Sequence, residues 1–216
     1  HKIPKWLKDS PNGNYKGALA LGANIIEVEE LDDNIEQYVQ QKAAKFSQEI
    51  LLIPEGGRCQ EAKHGIKQLA EEIIEFCQQE SLNKPKVMLP SGTGTTALFL
   101  QLFLPFEVLT CACVGGEEYL ETQFEELEPN NCLWPTIIPS NKKYHFGKLY
   151  PEFYQLWQQL YQQTSIEFDL LYDPLGWQSL LNHLDSNQTY QDVIYIHQGG
   201  ILGNESMLAR YQRKYG

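Results

Sequence analysis

Short apolar runs alternate with amphipathic segments along most of the chain, and this alternation restricts the fold more than any other feature. Short runs rich in apolar and β-branched residues predict strands at 24–28, 49–53, 86–89, 108–114 and 193–197, with a further extended segment at 166–171. Apolar residues at helical spacing predict helices at 34–47, 61–78, 96–104, 117–127, 151–162 and 176–184, with 128–150 irregular. The pattern predicts an α/β fold, in which helices flank a mostly parallel sheet.

Length and charge narrow the classes of protein further. The chain has 216 residues, 42% of them hydrophobic, which is enough to bury one large domain, or one domain and part of another. Its net charge of −11 argues against a nucleic-acid partner, because binding to phosphates needs a basic surface. No run of 18 apolar residues occurs, so no membrane span is predicted.

The cysteines form no CxxC pair, and no histidine cluster accompanies them, so no zinc site is predicted. Cys111 and Cys113 would share one face of the strand at 108–114, where we interpret them as small buried residues. This cysteine usage indicates a reducing, cytoplasmic location. The five cysteines are Cys59, Cys77, Cys111, Cys113 and Cys132.

Ligands of parallel α/β sheets bind outside the carboxyl ends of the strands, so the loops after Leu89, Leu171 and His197 are the candidate sites. The first loop, 90–96, reads Pro-Ser-Gly-Thr-Gly-Thr-Thr and joins a buried strand to a helix. Its glycines allow close approach of the backbone, and the helix N-terminus and the threonine hydroxyls favour a phosphate group. It is neither a Walker A loop nor GxGxxG, and an ordinary glycine-rich turn is the alternative.

The second loop carries a tyrosine and a carboxylate, Tyr172 and Asp173, either of which suits proton chemistry if its pKa is shifted. A capped turn is the alternative, because Asp173 is a good N-cap and Pro174 fits the first helical position. The third loop, 195–200, ends in two glycines. His197 there is either a proton carrier or, more commonly for a histidine at a strand end, a hydrogen-bonded structural residue.

Taken in order, these segments resemble one family, that of 1-aminocyclopropane-1-carboxylate deaminase and D-cysteine desulfhydrase. The family belongs to the pyridoxal-phosphate enzymes of fold type II. Each motif is weak alone, whereas their order and approximate spacing are specific. The similar segments are Ile-Pro-Glu-Gly-Gly at 53–57, the loop at 91–95, Asp-Leu-Leu-Tyr at 169–172 and Ile-Tyr-Ile-His-Gln-Gly-Gly at 194–200, with 10–15 and 144–147 similar to bacterial members.

The resemblance implies pyridoxal 5'-phosphate as cofactor and assigns residues to its site. The cofactor phosphate would be held by Gly92, Thr93, Gly94 and Thr95. Tyr172 would contact the substrate and assist proton transfer, and Asp173 would stand where deaminases carry a glutamate near the pyridine nitrogen. The turn formed by His197, Gln198 and Gly199 would lie against the pyridine ring.

Three positions depart from the deaminases. Phe146 stands where they carry a second active-site tyrosine, and it has no hydroxyl. Asp173 is one methylene shorter than glutamate, and Gln198 replaces a leucine of deaminases or a small hydroxyl residue of desulfhydrases. The resemblance therefore favours a desulfhydrase or a related amino-acid lyase over a true deaminase.

The Schiff-base lysine of the family lies early, in a GNK-type motif that is not found among these residues. We expect the chain to match the C-terminal part of the family, with 1–53 a remnant of a smaller α/β domain and 54–216 the large cofactor-binding domain. Covalent anchoring and removal of the α-proton both require that lysine, so the 216 residues alone are expected to be inactive.

The function predicted is elimination or deamination of a small amino acid, giving a 2-oxo acid and ammonia. The alternatives are a catalytically inactive relative that binds a small ligand or a partner, and a phosphate-ligand enzyme without this cofactor. Self-association into a homodimer is left open.

Overall fold

The computed structural model describes residues 2–27, 35–47, 50–130, 133–187 and 192–215, so Cys132 lies outside the described residues. The chain divides into two compact units, His1–Ile53 and Pro54–Gly216. No helix among the described residues is long and apolar enough to cross a membrane.

The first unit contains three described helices, α1 (Lys5–Asp9), α2 (Gly13–Ala20) and α3 (Ile35–Ala43), the last confirming the helix predicted at 34–47. The strands predicted at 24–28 and 49–53 are wrong over residues 24–27 and 50–53, and Val28 and Glu49 lie outside the described residues. Ile26 and Ile53 are 63% and 66% exposed, and no described strand of this unit is available to pair with them. β-Branched residues favour a strand only where a neighbour supplies a packed, half-buried surface.

Several apolar residues of this unit are exposed to solvent. Leu21 is 90% exposed, and Leu19, Ile25 and Ile26 are also exposed. The described part of the unit therefore lacks a closed core of its own.

The second unit is built on a four-stranded parallel sheet in the order β3-β2-β1-β4. The strands are β1 (Lys86–Ser91), β2 (Val108–Ala112), β3 (Thr136–Ile137) and β4 (Val193–Tyr195). The helices are α4 (Ala62–Gln79), α5 (Thr95–Phe103), α6 (Glu117–Leu127), α7 (Pro151–Thr164), α8 (Asp173–Asn187) and α9 (Asn204–Tyr215). The predicted α/β fold with a parallel sheet between helices is confirmed.

The central strand β1 shows how the sequence builds this core. Val87 and Leu89 pack into one cluster with residues of α4 and α5, whereas Met88 packs on the opposite face with Leu175 and Leu180 of α8. All three strand residues are fully buried, which explains why β1 reads as a continuous apolar run and not as an alternating one. The sheet thereby brings the ends of β1, β2 and β4 to one edge.

Three features of the second unit differ from the sequence expectation. The extended segment 166–171 is not a strand, because side chains satisfy its backbone: Asn204 accepts the N–H of Leu170, and the Trp157 indole donates to the carbonyl of Phe168. Strand β3 lies within the stretch predicted to be irregular, and α9 was not predicted. The loop that carries Tyr172 therefore follows an irregular segment and not a strand.

Candidate functional site

The glycine-rich loop connects β1 to α5, and both its own backbone and a neighbouring segment depend on glycine. Gly94 has φ +76° and ψ 3°, and a Cβ there would overlap the Phe124 and Leu120 side chains of α6. At Gly56, also in the left-handed region, a Cβ would overlap the side chain of Thr93. The backbone at Gly56 thus packs against the Thr93 side chain of the glycine-rich loop.

The loop presents unpaired donors. Within the described parts of the chain, the backbone N–H groups of residues 92–95 make no hydrogen bond, while the hydroxyls of Thr93 and Thr95 lie 3.2 Å apart. The N-terminal N–H groups of a helix need a partner from outside the helix, and an anion supplies one. The loop thus offers donors of the kind that bind an anion, and its role as a phosphate site stays a prediction.

Replacing Gly94 by Ala is expected to destabilise the fold strongly. The left-handed backbone costs an alanine about 1–2 kcal/mol, and overpacking against α6 adds about 1–3 kcal/mol. Gly147→Ala is the matched control, because φ there is +71° but a Cβ would meet nothing within 4 Å. Urea unfolding should show the larger loss of stability for Gly94→Ala, and equal losses would show that the packing against α6 is absent.

Tyr172 lies against the glycine-rich loop. A Cβ built on Gly92 would lie 3.3 Å from the Tyr172 hydroxyl, so the absence of a side chain at position 92 leaves room for the ring. The ring of Phe146 packs on that of Tyr172 with centroids 5.0 Å apart, which agrees with the position that the resemblance gives Phe146. Burial, followed by the nearby Cys113 and Asp169, raises the pKa of Tyr172. The phenol is therefore a proton or hydrogen-bond donor near neutral pH and not a base.

Asp173, in contrast, is only 1% exposed, and both oxygens of its carboxylate accept hydrogen bonds from within the protein. One oxygen accepts the hydroxyl of Tyr195 at 2.8 Å, and the other accepts the N–H of Asp169 at 3.0 Å. It also begins α8, one residue before the helical start expected from Pro174. Burial first, and then the neighbouring Asp169, raise the pKa of Asp173 to about 7. Its predicted catalytic role stays a prediction.

This pKa gives a pH dependence with a definite sign. The carboxyl of Asp173 titrates near pH 7 in the folded protein and near 3.8 when exposed, so ionisation opposes folding. Stability is therefore lost as the pH rises from about 4 to about 7, whereas Asp173→Asn, which cannot ionise, should lose less. Urea midpoints of both proteins across this range measure the difference, and parallel curves would contradict the assignment.

The turn after β4 is joined to the same loop. The side-chain amide of Gln198 donates to the carbonyl of Pro90 at 2.7 Å. His197 accepts the N–H of Gly199 on Nδ1 at 3.0 Å, so its Nε2 carries the proton and donates to the carbonyl of Glu167 at 2.8 Å. Both ring nitrogens are engaged, which favours the structural interpretation of His197 over a proton carrier.

The three predicted loops therefore meet at one edge of the sheet, with Tyr172 beside Gly92 and Gln198 beside Pro90. The structure adds two residues that the sequence did not single out, Asp169 and Tyr195, both bonded to Asp173. Asp169 was visible as the first residue of the Asp-x-x-Tyr motif, whereas nothing in the sequence marks the Tyr195 hydroxyl.

A cavity of about 720 Å³ opens beside this site at the carboxyl end of β2. Its wall includes Cys113, Lys143, His145 and Phe146, so Phe146 contributes both to the cavity and to the packing of Tyr172. Cys111 and Cys113 are 1% and 6% exposed with sulfur atoms 3.9 Å apart, and no group of metal-ligating side chains occurs among the described residues. Their interpretation as buried residues is confirmed.

Comparison with known proteins agrees with the motifs. No family model matches the chain. A rice protein (Oryza sativa subsp. japonica) named "Putative D-cysteine desulfhydrase 2, mitochondrial" is 24% identical over 192 residues, which cover 78% of this chain and 47% of the rice protein. The chain thus spans about half the length of this curated relative. Because the rice protein is named mitochondrial, the cytoplasmic location of this chain stays a prediction.

The fold agrees with a crystal structure described as that of the ACC deaminase homologue. The two match with a TM-score of 0.72 and 19% sequence identity, over 93% of this chain and 67% of the other. The chain is thus similar in sequence to a protein named as a D-cysteine desulfhydrase and shares the fold of an ACC deaminase homologue, the two kinds of protein that its ordered motifs resemble.

Proposed function

We propose that the chain forms the C-terminal part of a pyridoxal-phosphate enzyme that eliminates or deaminates a small amino acid. The observation that supports this most is the meeting of the glycine-rich loop, Tyr172 and the turn after β4 at one edge of the sheet. Products of such a reaction are a 2-oxo acid and ammonia, with sulfide as well when the substrate is D-cysteine.

The residues present fit the phosphate and the ring of this cofactor. The N–H groups of residues 92–95 are unpaired within the described chain, and Thr93 and Thr95 add hydroxyl donors, so a phosphate would find several partners. Gly92 carries no side chain where the loop faces Tyr172. The turn at 197–199, in which Gln198 donates a hydrogen bond to the Pro90 carbonyl, would lie beside the pyridine ring of the cofactor. When bound, the cofactor supplies an electron sink for the substrate carbanion.

Tyr172 would act on the substrate beside the phosphate loop. Because its pKa is raised, the phenol stays protonated and delivers a proton or a hydrogen bond to a substrate atom. Phe146, whose ring packs on Tyr172, covers one side of that ring but has no hydroxyl to share the task. One phenol in place of two favours a D-cysteine-like substrate over the cyclopropane amino acid.

A catalytically inactive relative is the second candidate, because none of the lysines of these 216 residues matches the anchoring lysine of the family. An activity assay of the full-length protein, meaning the product of the complete coding sequence, distinguishes the two candidates. Purified with pyridoxal phosphate and supplied with D-cysteine, the enzyme should release sulfide, ammonia and a 2-oxo acid. If the protein binds the cofactor but leaves small amino acids of either chirality unchanged, the inactive relative is the correct description.

A further inference from the structure

The segment 169–173 carries Tyr172 but belongs to no strand of the described chain, so side chains fix its shape. One carboxylate oxygen of Asp169 accepts the N–H of Leu171 at 2.6 Å and that of Tyr172 at 2.8 Å. The other oxygen accepts the N–H of Asp173 at 3.3 Å. Three consecutive backbone donors therefore converge on one side chain, which sets the direction in which the Tyr172 ring leaves the backbone.

Asp173 also forms a hydrogen bond to Asp169 through its own side chain. Its carboxylate accepts the N–H of Asp169, so the two acidic residues close the segment at both ends. Both side chains are buried, where an unpaired carboxylate is costly and a hydrogen-bonded one holds its neighbours firmly.

Tyr195 links the segment 169–173 to the sheet. It is the last residue of β4, and its hydroxyl donates to Asp173 at 2.8 Å across 22 positions of sequence. Its ring stacks on Trp177 with centroids 4.3 Å apart. Gly176 gives the hydroxyl its space, because a Cβ at that position would crowd the Tyr195 oxygen.

We propose that Asp169 and Tyr195 are positioning residues that hold the Tyr172 hydroxyl beside the glycine-rich loop. The inference rests on the function proposed above, since it gives Tyr172 a position at which to act. The hydrogen bond from the Tyr172 N–H to the Asp169 carboxylate could be explained simply as part of the turn that starts α8. That turn does not account for the Tyr195 hydroxyl, which caps no helix and instead links β4 to the segment that bears Tyr172.

The first test observes the segment directly, without catalysis. In the 216-residue chain, the amide resonances of Leu171 and Tyr172 should lie downfield, as expected for N–H groups bonded to a carboxylate. Tyr195→Phe removes one hydroxyl and should shift both amides, whereas Asp169→Asn retains one acceptor oxygen and should shift them less than Asp169→Ala. Amides that do not respond to Tyr195→Phe would overturn the proposed link.

The second test measures turnover of D-cysteine by the full-length protein. Displacement of a reacting group by about 1 Å costs up to about 100-fold in rate, so Tyr195→Phe should lower kcat by about 10- to 100-fold with KM little changed. Tyr211→Phe is the control, because it also removes one phenolic hydroxyl inside the second unit, and that hydroxyl accepts only the N–H of Tyr150 among the described bonds.

The results of these tests distinguish a failure of the positioning role from a failure of the proposed function. The positioning role is supported if Tyr195→Phe loses kcat while its melting temperature and cofactor affinity equal those of Tyr211→Phe. Wild-type kcat in Tyr195→Phe despite shifted amides would overturn it and leave the proposed function intact. A wild-type protein that binds no cofactor and turns over no amino acid would overturn the proposed function, and the positioning role with it.

Discussion

Replacing Tyr172 by Phe in the full-length protein lowers kcat by about 100- to 10,000-fold, the usual contribution of a positioned acid or base. The substitution removes only the hydroxyl, and the ring retains its packing on Phe146 and beside Gly92. Cofactor binding and KM should therefore change little. Steady-state release of the 2-oxo acid from D-cysteine measures the effect.

The control for this variant is Tyr154→Phe. Tyr154 stacks on Trp157 and Tyr211, at the side of the unit formed by α7 and α9. Its turnover should equal that of the wild type. If Tyr172→Phe also retains wild-type kcat, Tyr172 is a packing residue, and the proton must come from another group.

The second large effect concerns the covalent link to the cofactor. With pyridoxal phosphate and borohydride, the full-length protein should acquire a permanent adduct on one lysine, which peptide mass spectrometry can identify. The 216-residue chain should acquire none at a defined site, because no lysine in it matches the GNK-type anchor of the family. The expected contrast is between a stoichiometric adduct and none.

A single stoichiometric adduct on the 216-residue chain would contradict this expectation. It would show that one of its own lysines is the anchor, and the match of the chain to the C-terminal part of the family would be wrong. Scattered, substoichiometric labelling of exposed lysines is the background, and the full-length protein denatured before labelling provides its level.

Much of the second unit is predictable because its central strands are buried on both faces. The runs that form β1 and β2 are mostly apolar, and the helix at 61–78 carries a clear apolar stripe, so local pattern and tertiary position agree. The strands predicted at 24–28 and 49–53 failed where described because their residues have local β propensity but no described partner strand. Helix α9 was recognisable from Met207, Leu208 and Tyr211 at helical spacing.

The meeting of the glycine-rich loop and the turn after β4 was predictable from one rule, that the carboxyl ends of parallel strands share an edge. The loop of Tyr172 follows no strand, so this rule does not account for its position. The hydrogen bonds that shape the site were not predictable. The Tyr195 hydroxyl reaches Asp173 only because β4 pairs with β1 and α8 packs against both β1 and β2. Likewise, the side chains that replace a strand ladder at 167–170 come from α7 and α9, distant in sequence. Propensity and spacing contain no information on such pairs.

Ligand affinity measures directly whether residues 92–95 form a phosphate site beside Tyr172. The 216-residue chain is titrated with pyridoxal 5'-phosphate and with pyridoxal, which lacks the phosphate. We expect weak binding that is about 10-fold or more tighter for the phosphate ester, equivalent to about 1.4 kcal/mol or more. Gly92→Val should abolish this preference, and Gly65→Ala, where a Cβ meets nothing within 4 Å, should retain it. Equal affinity for the two ligands, or a preference that survives Gly92→Val, would show that residues 92–95 do not bind the phosphate.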